Sequence, residues 1–411
     1  MKRVENAGLY VHVPFCRSKC PYCDFYSTGY APALAARWLE GIAGEAALRE
    51  DRSLVFDSLY LGGGAPTILE IDQLRPLMES LRGRFVFSPD TETTIEANPE
   101  DVTKEKATFL LELGFNRLSV GAQSFNDREL LYLGRRHSAA RTMRAIEDAR
   151  SAGFSNLGVD LIYGFEGQSE ESWLESLERA LRYRPEHLSC YQLSVEKGSR
   201  FAKMLSEGKM AVIGEERERS FFLLTSRFLD ERGYVHYEVS NFALGGEPDR
   251  GSRHNRKYWS HTPYVGLGPA AHSFDGKARW WNPRSTKKYC LAIEEGRAPL
   301  EDSEILSAEQ LRMERLCLGF RTKEGVALED LGISTGGASP RSVSGVGAPA
   351  PRNPSEDAGA GGKSDRSGNA DKAHGLLGQL EEAGLLLVRD GRAIPTREGF
   401  VVADSFPILF V

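Results

Sequence analysis

The first half of the chain alternates short β-branched apolar runs with amphipathic helical patterns, and this alternation limits the folds available to it. A repeated strand–helix order predicts a parallel sheet with helices packed outside it. Six repeats fit an open, partial (β/α)6 barrel better than a closed eight-stranded one. The predicted strands are Leu9–Phe15, Ser58–Leu61, Thr93–Ala97, Arg117–Val120, Leu157–Tyr163 and Leu188–Val195.

The predicted α/β barrel occupies residues 1–235, and two further regions follow it. Residues 236–304 form a connecting region without clear periodicity. Residues 305–411 form a small C-terminal domain, in which a helix and a hairpin predict a winged-helix-like fold. Ser, Gly, Ala and Pro dominate residues 334–372 within it. Such a stretch cannot bury enough apolar surface to fold, so it predicts a disordered insertion.

Composition narrows the class of partners. The formal net charge of −6 gives no basic footprint for nucleic acid. No run approaches the roughly 20 apolar residues of a membrane span, which leaves only peripheral membrane association open. Six cysteines, three of them clustered, do not resemble a disulfide framework. We therefore expect a cytoplasmic protein in a reducing compartment.

Cys16, Cys20 and Cys23 bring three thiols into one short loop just after the first predicted strand. A structural zinc site usually takes four protein ligands. A cubane iron–sulfur cluster has four irons, so three thiolates leave one iron open to a ligand that is not protein. The residues alone leave zinc and a disulfide set open, but their number favours a [4Fe-4S] cluster.

Glycine and polar residues follow the predicted strands, at the end where parallel sheets present functional side chains. Gly62-Gly63-Gly64-Ala65 follows the second strand, where the glycines expose backbone N–H and C=O groups. Glu96, Gln123 and Asp160 belong to the next three strands, and an Asp in an apolar strand is costly unless paired. Each feature alone also fits a turn, a cap or a salt bridge. Together with the guanidinium of Arg135 they favour one binding site.

These motifs together resemble the radical S-adenosylmethionine (SAM) superfamily. Within it, Tyr10–Cys16, the glycine loop, Glu96–Pro99 and Asp160–Gly164 look like the branch of oxygen-independent coproporphyrinogen III oxidase and a related heme chaperone. The resemblance covers most of residues 9–330 and implies a cluster on the three cysteines, reductive cleavage of SAM and an electron donor. The residues implied in SAM binding are Tyr10, Gly63, Gly64, Ala65, Glu96, Gln123, Arg135 and Asp160. The branch usually has Thr at the position of Ala65.

Two features of the sequence distinguish the oxidase from the heme chaperone within this branch. The oxidase usually carries a fourth cysteine where this chain has Phe25. The segment His254-Asn255-Arg256-Lys257-Tyr258-Trp259 resembles the His-Asn-x-x-Tyr-Trp signature of the heme chaperone. Histidine is a common axial ligand of heme iron, so the resemblance implies heme binding by His254, Tyr258 and Trp259. Without the resemblance, the segment reads as a loop whose aromatic residues pack on the barrel. His236, His261 and His272 remain unranked as second ligands.

We therefore expect a heme chaperone that binds heme and transfers it to apo-hemoproteins such as respiratory enzymes. The alternative is coproporphyrinogen III dehydrogenase, which decarboxylates propionates oxidatively. A third hypothesis is a radical SAM enzyme with an unrelated substrate. Whether the SAM machinery makes this chain an enzyme stays open at the level of sequence.

Overall fold

The computed structural model describes residues 4–333 and 364–410. The chain divides into a larger unit, Met1–Leu311, and a smaller unit, Arg312–Val411. The predicted connecting region 236–304 belongs to the larger unit, because most of its strands join the same sheet as the barrel strands. The strands are β1 Val4–Val13, β2 Phe15–Cys16, β3 Thr28–Gly29, β4 Leu54–Gly63, β5 Val86–Ala97, β6 Arg117–Gln123, β7 Leu157–Tyr163, β8 His187–Gln192, β9 Tyr234–Glu238, β10 Asn241–Leu244, β11 Tyr264–Leu267, β12 His272–Phe274, β13 Ala278–Trp281, β14 Asp302–Ile305, β15 Val326–Ala327, β16 Leu386–Arg389 and β17 Arg392–Pro395.

Helices follow most of the parallel strands, and serine side chains cap several of them. Ser138 Oγ accepts the N–H of Arg141 at 3.2 Å, and Ser169 Oγ accepts the N–H of Ser172 at 3.2 Å, as N-caps do. The helices are α1 Pro32–Leu48, α2 Ile71–Arg84, α3 Lys104–Glu112, α4 Asp127–Tyr132, α5 Ala139–Ala152, α6 Glu170–Leu181, α7 Arg200–Ser206, α8 Glu215–Asp230, α9 Arg253–Trp259, α10 Thr286–Glu294, α11 Ala308–Gly319, α12 Ser364–Glu382, α13 Arg397–Val401 and α14 Phe406–Leu409.

One twelve-stranded sheet organises the larger unit, in the order β14-β13-β12-β11-β1-β4-β5-β6-β7-β8-β10-β9. Strands β1, β4, β5, β6, β7 and β8 are parallel neighbours in chain order. Strand β11 adds a further parallel strand beside β1, and the flanking strands are antiparallel. Within the described residues the sheet ends at β14 and β9 and does not close. The predicted partial barrel of six strand–helix units is confirmed.

The core of this unit lies between the sheet and its outer helices. Apolar side chains of the central strands, such as Val11, Leu61 and Val159, are fully buried against helix residues that include Trp38 and Trp173. Burial of this apolar surface supplies the main stabilisation of the fold. It holds the carboxyl ends of the six parallel strands at one edge, where the predicted site residues lie.

The smaller unit has its own core and a three-stranded sheet in the order β15-β17-β16. Strands β16 and β17 form the predicted hairpin, with Asp390 and Gly391 as its two-residue turn. The helix before this hairpin ends at Glu382, and β16 begins at Leu386.

The predicted insertion at 334–372 falls outside the described residues from 334 to 363. Its last part, residues 364–372, begins helix α12, so the prediction of disorder is wrong there. Among the described residues, no helix combines the length and the apolar character that a membrane crossing requires.

Candidate functional site

The three clustered cysteines lie in one loop, which a short parallel pair of strands closes. Strand β2 pairs Cys16 with Gly29 of β3. Between the two strands, the N–H of Cys23 donates to the carbonyl oxygen of Cys20 at 3.2 Å in a tight turn. The thiols are therefore held close together beyond the carboxyl end of β1.

The chemistry of these thiols fits a multinuclear cluster better than zinc. All six cysteines of the chain are free, so no disulfide joins the three in the loop. Burial, together with the charges of Cys23 and Cys20, raises the pKa of the Cys16 thiol to about 11. A structural zinc ion usually takes four protein ligands, and the loop supplies three thiols. In a cubane cluster each thiolate binds a different iron.

The glycine loop after β4 is bonded to the start of the cysteine loop. The N–H groups of Gly64 and Ala65 donate to carbonyl oxygens of the β1–β2 segment at 2.8 and 2.7 Å. Gly63 has a φ of +101°, and a Cβ at this position would collide with the ring of His12. The N–H of Gly63 donates to the Glu96 carboxylate at 3.1 Å. These N–H groups therefore bond within the protein, and they are not the open donors that the sequence predicts.

Glu96 stands at the end of β5 with both carboxylate oxygens bonded. Tyr60 donates its hydroxyl to Oε1 at 2.8 Å, and Gly63 donates to Oε2. Burial raises the pKa of this carboxyl to about 7, against the opposing effect of the Tyr60 hydrogen bond. The charge of Asp160 contributes to the same upward shift of the pKa. Glu96 can therefore gain or lose a proton near neutral pH.

Arg135 connects the cysteine loop with the strand ends. Its Nη1 donates to Cys20 Sγ at 3.2 Å, and its Nη2 donates to Asn98 Oδ1 at 2.7 Å. Pro21 of the cysteine loop also accepts the N–H of Phe201 at 2.9 Å. These contacts position the loop against the rest of the barrel.

Gln123 and Asp160 lie on neighbouring strands. Gln123 ends β6 at a bulge with a φ of +65°, an uncommon conformation for a residue other than glycine. Asp160 accepts the Ser119 hydroxyl at 3.1 Å, and burial raises the pKa of its carboxyl. Gln123 therefore lies at the carboxyl end of its strand, whereas Asp160 is in the middle of β7, paired with Gly121.

A cavity of about 450 Å³ opens at the carboxyl edge of the sheet. Tyr10, Gly63 and Glu96, predicted to contact SAM, line it together with His254 and Tyr258, predicted to contact heme. The structure thus joins two predicted sites into one. Of the residues predicted to contact SAM or heme, those that do not line this cavity are Gly64, Ala65, Gln123, Arg135, Asp160 and Trp259.

The segment that carries His254 is helix α9, and its inner face is bonded to strand β4. His254 is buried, with Nδ1 at 3.0 Å from Ser58 Oγ and Nε2 at 2.9 Å from the Tyr258 hydroxyl. Lys257 forms a buried ion pair with Asp57 at 2.5 Å. Burial lowers the pKa of His254 to about 3. His254 is therefore neutral, and hydrogen bonds occupy both of its ring nitrogens.

Sequence reasoning missed several cavity residues. His12 and Tyr60 line the cavity beside Tyr10, to which Tyr60 is directly paired on the adjacent strand. The alternation Tyr10-Val11-His12 places His12 on the same face as Tyr10, so the period of two could have predicted it. His272 also lines the cavity, whereas His236 and His261, the other two histidines left unranked from the sequence, are not among its lining residues.

Comparison with known proteins adds the following similarities. Residues 10–180 match the model of the Radical SAM superfamily. The chain is 35% identical to the heme chaperone HemW of Mycobacterium tuberculosis over 336 residues, which cover 80% of this chain and 84% of that protein. It is 34% identical to HemW of Bacillus subtilis over 331 residues, with coverage of 78% and 84%.

A mitochondrial protein and a solved structure are also similar. The bovine radical S-adenosyl methionine domain-containing protein 1 is 31% identical over 338 residues, which cover 78% of this chain and 74% of that protein. The coproporphyrinogen III oxidase HemN of Escherichia coli superposes with a TM-score of 0.77 at 22% identity. That comparison covers 100% of this chain and 91% of the oxidase, and it shows a shared fold.

Proposed function

Because this chain belongs to the HemW family of radical SAM heme chaperones, we propose that it binds heme and transfers it to apo-hemoproteins. The observation that carries this proposal is its 35% identity, over 336 residues, to the heme chaperone HemW of Mycobacterium tuberculosis. Phe25, at the position where the related oxidase usually has a cysteine, supports the same choice. Respiratory enzymes are the proposed recipients, and the cytoplasm is the proposed compartment.

We propose that Cys16, Cys20 and Cys23 hold a [4Fe-4S] cluster whose fourth iron binds SAM. When bound, these groups supply one-electron reductive chemistry, and an electron donor is part of the proposal. Arg135 donates to the Cys20 sulfur, a contact that stabilises thiolate charge. Since the N–H groups of the glycine loop bond within the protein, its carbonyl oxygens suit the ammonium group of SAM. The Glu96 carboxylate and the Gln123 amide are the groups proposed for polar parts of the same ligand.

For heme, we propose the cavity at the carboxyl edge of the sheet. Its wall includes the rings of Tyr60 and His254, whose centroids are 5.2 Å apart at an interplanar angle of 28°. Flat aromatic faces pack well against a porphyrin. Arg284 lines the cavity as well, as a cation suited to a heme propionate. His254 and Tyr258 are proposed as wall residues, and Trp259 as a flanking one.

An anaerobic assay tests the function directly. The full chain, with its cluster reconstituted, is titrated with heme and then mixed with an apo-globin, while coproporphyrinogen conversion is followed in parallel. We expect stoichiometric heme uptake, transfer to the globin and no decarboxylated product. Turnover of coproporphyrinogen without heme transfer would favour the oxidase activity, to which the shared fold alone gives no support.

Cysteine substitutions test the cluster site. Cys20→Ser removes one thiolate, so we expect loss of the visible cluster absorption and of most bound iron. Cys190→Ser is the matched control, since Cys190 is buried on β8 and outside the loop. Equal iron content in both variants would refute the assignment of the cluster to the loop.

A further inference from the structure

The cavity contains three histidines, and they differ in whether a ring nitrogen is available to bind iron. A neutral imidazole has one N–H and one nitrogen lone pair, and only the lone pair can bind a metal. His12, His254 and His272 all line the cavity. The hydrogen bonds of each ring therefore decide which one can act as a ligand.

The ring nitrogen of His12 that carries the lone pair already accepts a hydrogen bond. Its Nε2 lies 2.8 Å from the carbonyl oxygen of Tyr26, which only accepts, so Nε2 carries the proton. Its Nδ1 therefore accepts from the Tyr10 hydroxyl, 3.0 Å away. Iron binding at Nδ1 would break that bond in a buried position, where an unsatisfied polar group is costly.

The lone pair of His254 is used in the same way. Both of its nitrogens face hydroxyl groups, those of Ser58 and Tyr258. In either tautomer one hydroxyl donates to the unprotonated nitrogen. Although the ring lines the cavity, iron binding at its unprotonated nitrogen would break one of these buried hydrogen bonds.

His272 differs from both. Its ring is exposed at the cavity, and among the described residues it has no hydrogen-bond partner. It stacks on Trp281, its directly paired neighbour on β13, at 5.7 Å and 22°. Burial and the nearby charges of Arg279 and Arg284 lower the pKa of His272, which favours the neutral imidazole that a metal requires.

The backbone that carries His272 is firmly held. A Cβ at Gly266 would collide with the His272 carbonyl, so glycine permits the close return of β12 onto β11. The turn between these strands is bonded to buried Glu45, which accepts the N–H of Gly268 at 2.8 Å. Asn282 donates to both the Gly268 carbonyl and Glu45 at 2.8 Å. A metal-binding side chain on a backbone that is held in this way needs little reorganisation to bind iron.

We propose that His272, rather than His254, is the protein ligand of the heme iron. The inference rests on the proposed heme-binding function and adds the identity of the ligating atom, a ring nitrogen of His272. Arg284, on the same cavity, would meet a propionate. His254 then shapes the wall through its bonds to Ser58 and Tyr258.

The test is a titration of the full chain with iron(III) protoporphyrin IX, read by Soret absorption and by resonance Raman spectroscopy. For His272→Ala we expect a shifted Soret band, loss of the histidine-ligated spin-state markers, and recovery of both on adding imidazole. For His254→Ala we expect the ligand markers to remain. His374→Ala is the control, since His374 is also an exposed histidine and lies in the smaller unit.

The outcomes separate the two proposals. Wild-type spectra in His272→Ala, with no response to imidazole, would overturn the ligand assignment while heme binding stands. Loss of the ligand markers in His254→Ala but not in His272→Ala would return the role to His254. Failure of the wild-type chain to take up heme would overturn the proposed function and this inference with it.

Discussion

At the scale of single residues, the carboxyl edge of the sheet combines buried acids with bonded aromatic groups. Glu96 accepts from a tyrosine hydroxyl and a backbone N–H, and both bonds favour its ionised form. Removal from water opposes them and prevails, so the pKa of Glu96 reaches about 7. Its charge therefore changes within the range of pH at which proteins work.

This pKa predicts a pH dependence of SAM binding. Below about pH 7 the Glu96 carboxyl is mostly protonated and neutral, and above it the carboxylate attracts SAM, which carries a net positive charge. We expect affinity to rise about tenfold between roughly pH 5.5 and 7.5. Equilibrium dialysis of the cluster-loaded protein against SAM at each pH measures this affinity.

Two variants isolate the contribution of Glu96. Glu96→Gln removes the titrating group, so its SAM affinity should be nearly flat with pH. Glu100→Gln is the control, because the contact with His137 holds the pKa of Glu100 below its usual value despite burial. Persistence of the slope in Glu96→Gln would contradict the prediction.

At the scale of elements, one carboxylate on helix α1 ties together three later parts of the chain. Glu45 is fully buried and accepts from the N–H of Gly268, the Asn282 amide and the Tyr289 hydroxyl, each at 2.8 Å. A buried carboxylate is tolerated only when its oxygens are bonded in this way. The turn from β11 to β12, and with it His272, depends on this network.

Removing the Glu45 carboxylate leaves those donors without an acceptor. For Glu45→Ala we expect the free energy of unfolding to fall by about 3–5 kcal/mol. Glu40→Ala on the exposed face of the same helix should change it by less than about 0.5 kcal/mol. Urea unfolding followed by circular dichroism measures both. If both variants lost the same free energy of unfolding, the network around Glu45 would not stabilise the turn.

The elements also show which features the sequence could predict. The strand Leu157–Tyr163, for example, was predicted with the bounds that the structure has. Strand β11 and helix α9 were not, because both are short and have no clear period. Strand β11 exists through its pairing with β1, and α9 is held by bonds to β4. Such long-range contacts leave no local pattern.

At the scale of the whole molecule, some parts of the candidate site could be predicted from the sequence and others could not. The cysteines and the glycine loop are local motifs, so their spacing predicted their place. The joining of the SAM and heme residues in one cavity was not predictable, because His254 approaches Ser58 only after the barrel has formed. The internal bonds of the glycine loop likewise depend on the register of β1 and β4.

The interior of the barrel contains charged as well as apolar side chains, and one of them is the cation Arg117. Arg117 on β6 is 1% exposed, and its Nε has no hydrogen-bond partner among the described residues. Its charge opposes the effect of burial on the pKa of Glu92 and of Asp160, both of which remain raised. Arg253 also lowers the pKa of Glu92, and Ser189 and Arg135 lower that of Asp160, but Arg117 is the cation that acts on both acids.

Arg117→Met removes this charge with little change in side-chain length, so the pKa values of Glu92 and Asp160 in the folded state should rise further. An acid whose pKa is raised by folding stabilises the protein at low pH, and that contribution is lost as the pH increases. We expect the free energy of unfolding to fall by about 3 kcal/mol near pH 8 and by less near pH 5, where both acids can be protonated. Urea unfolding at the two pH values measures this, with exposed Arg144→Met as the control. A loss that is the same at both pH values would mean that Arg117 acts through packing, since only its charge couples stability to the protonation of the two acids.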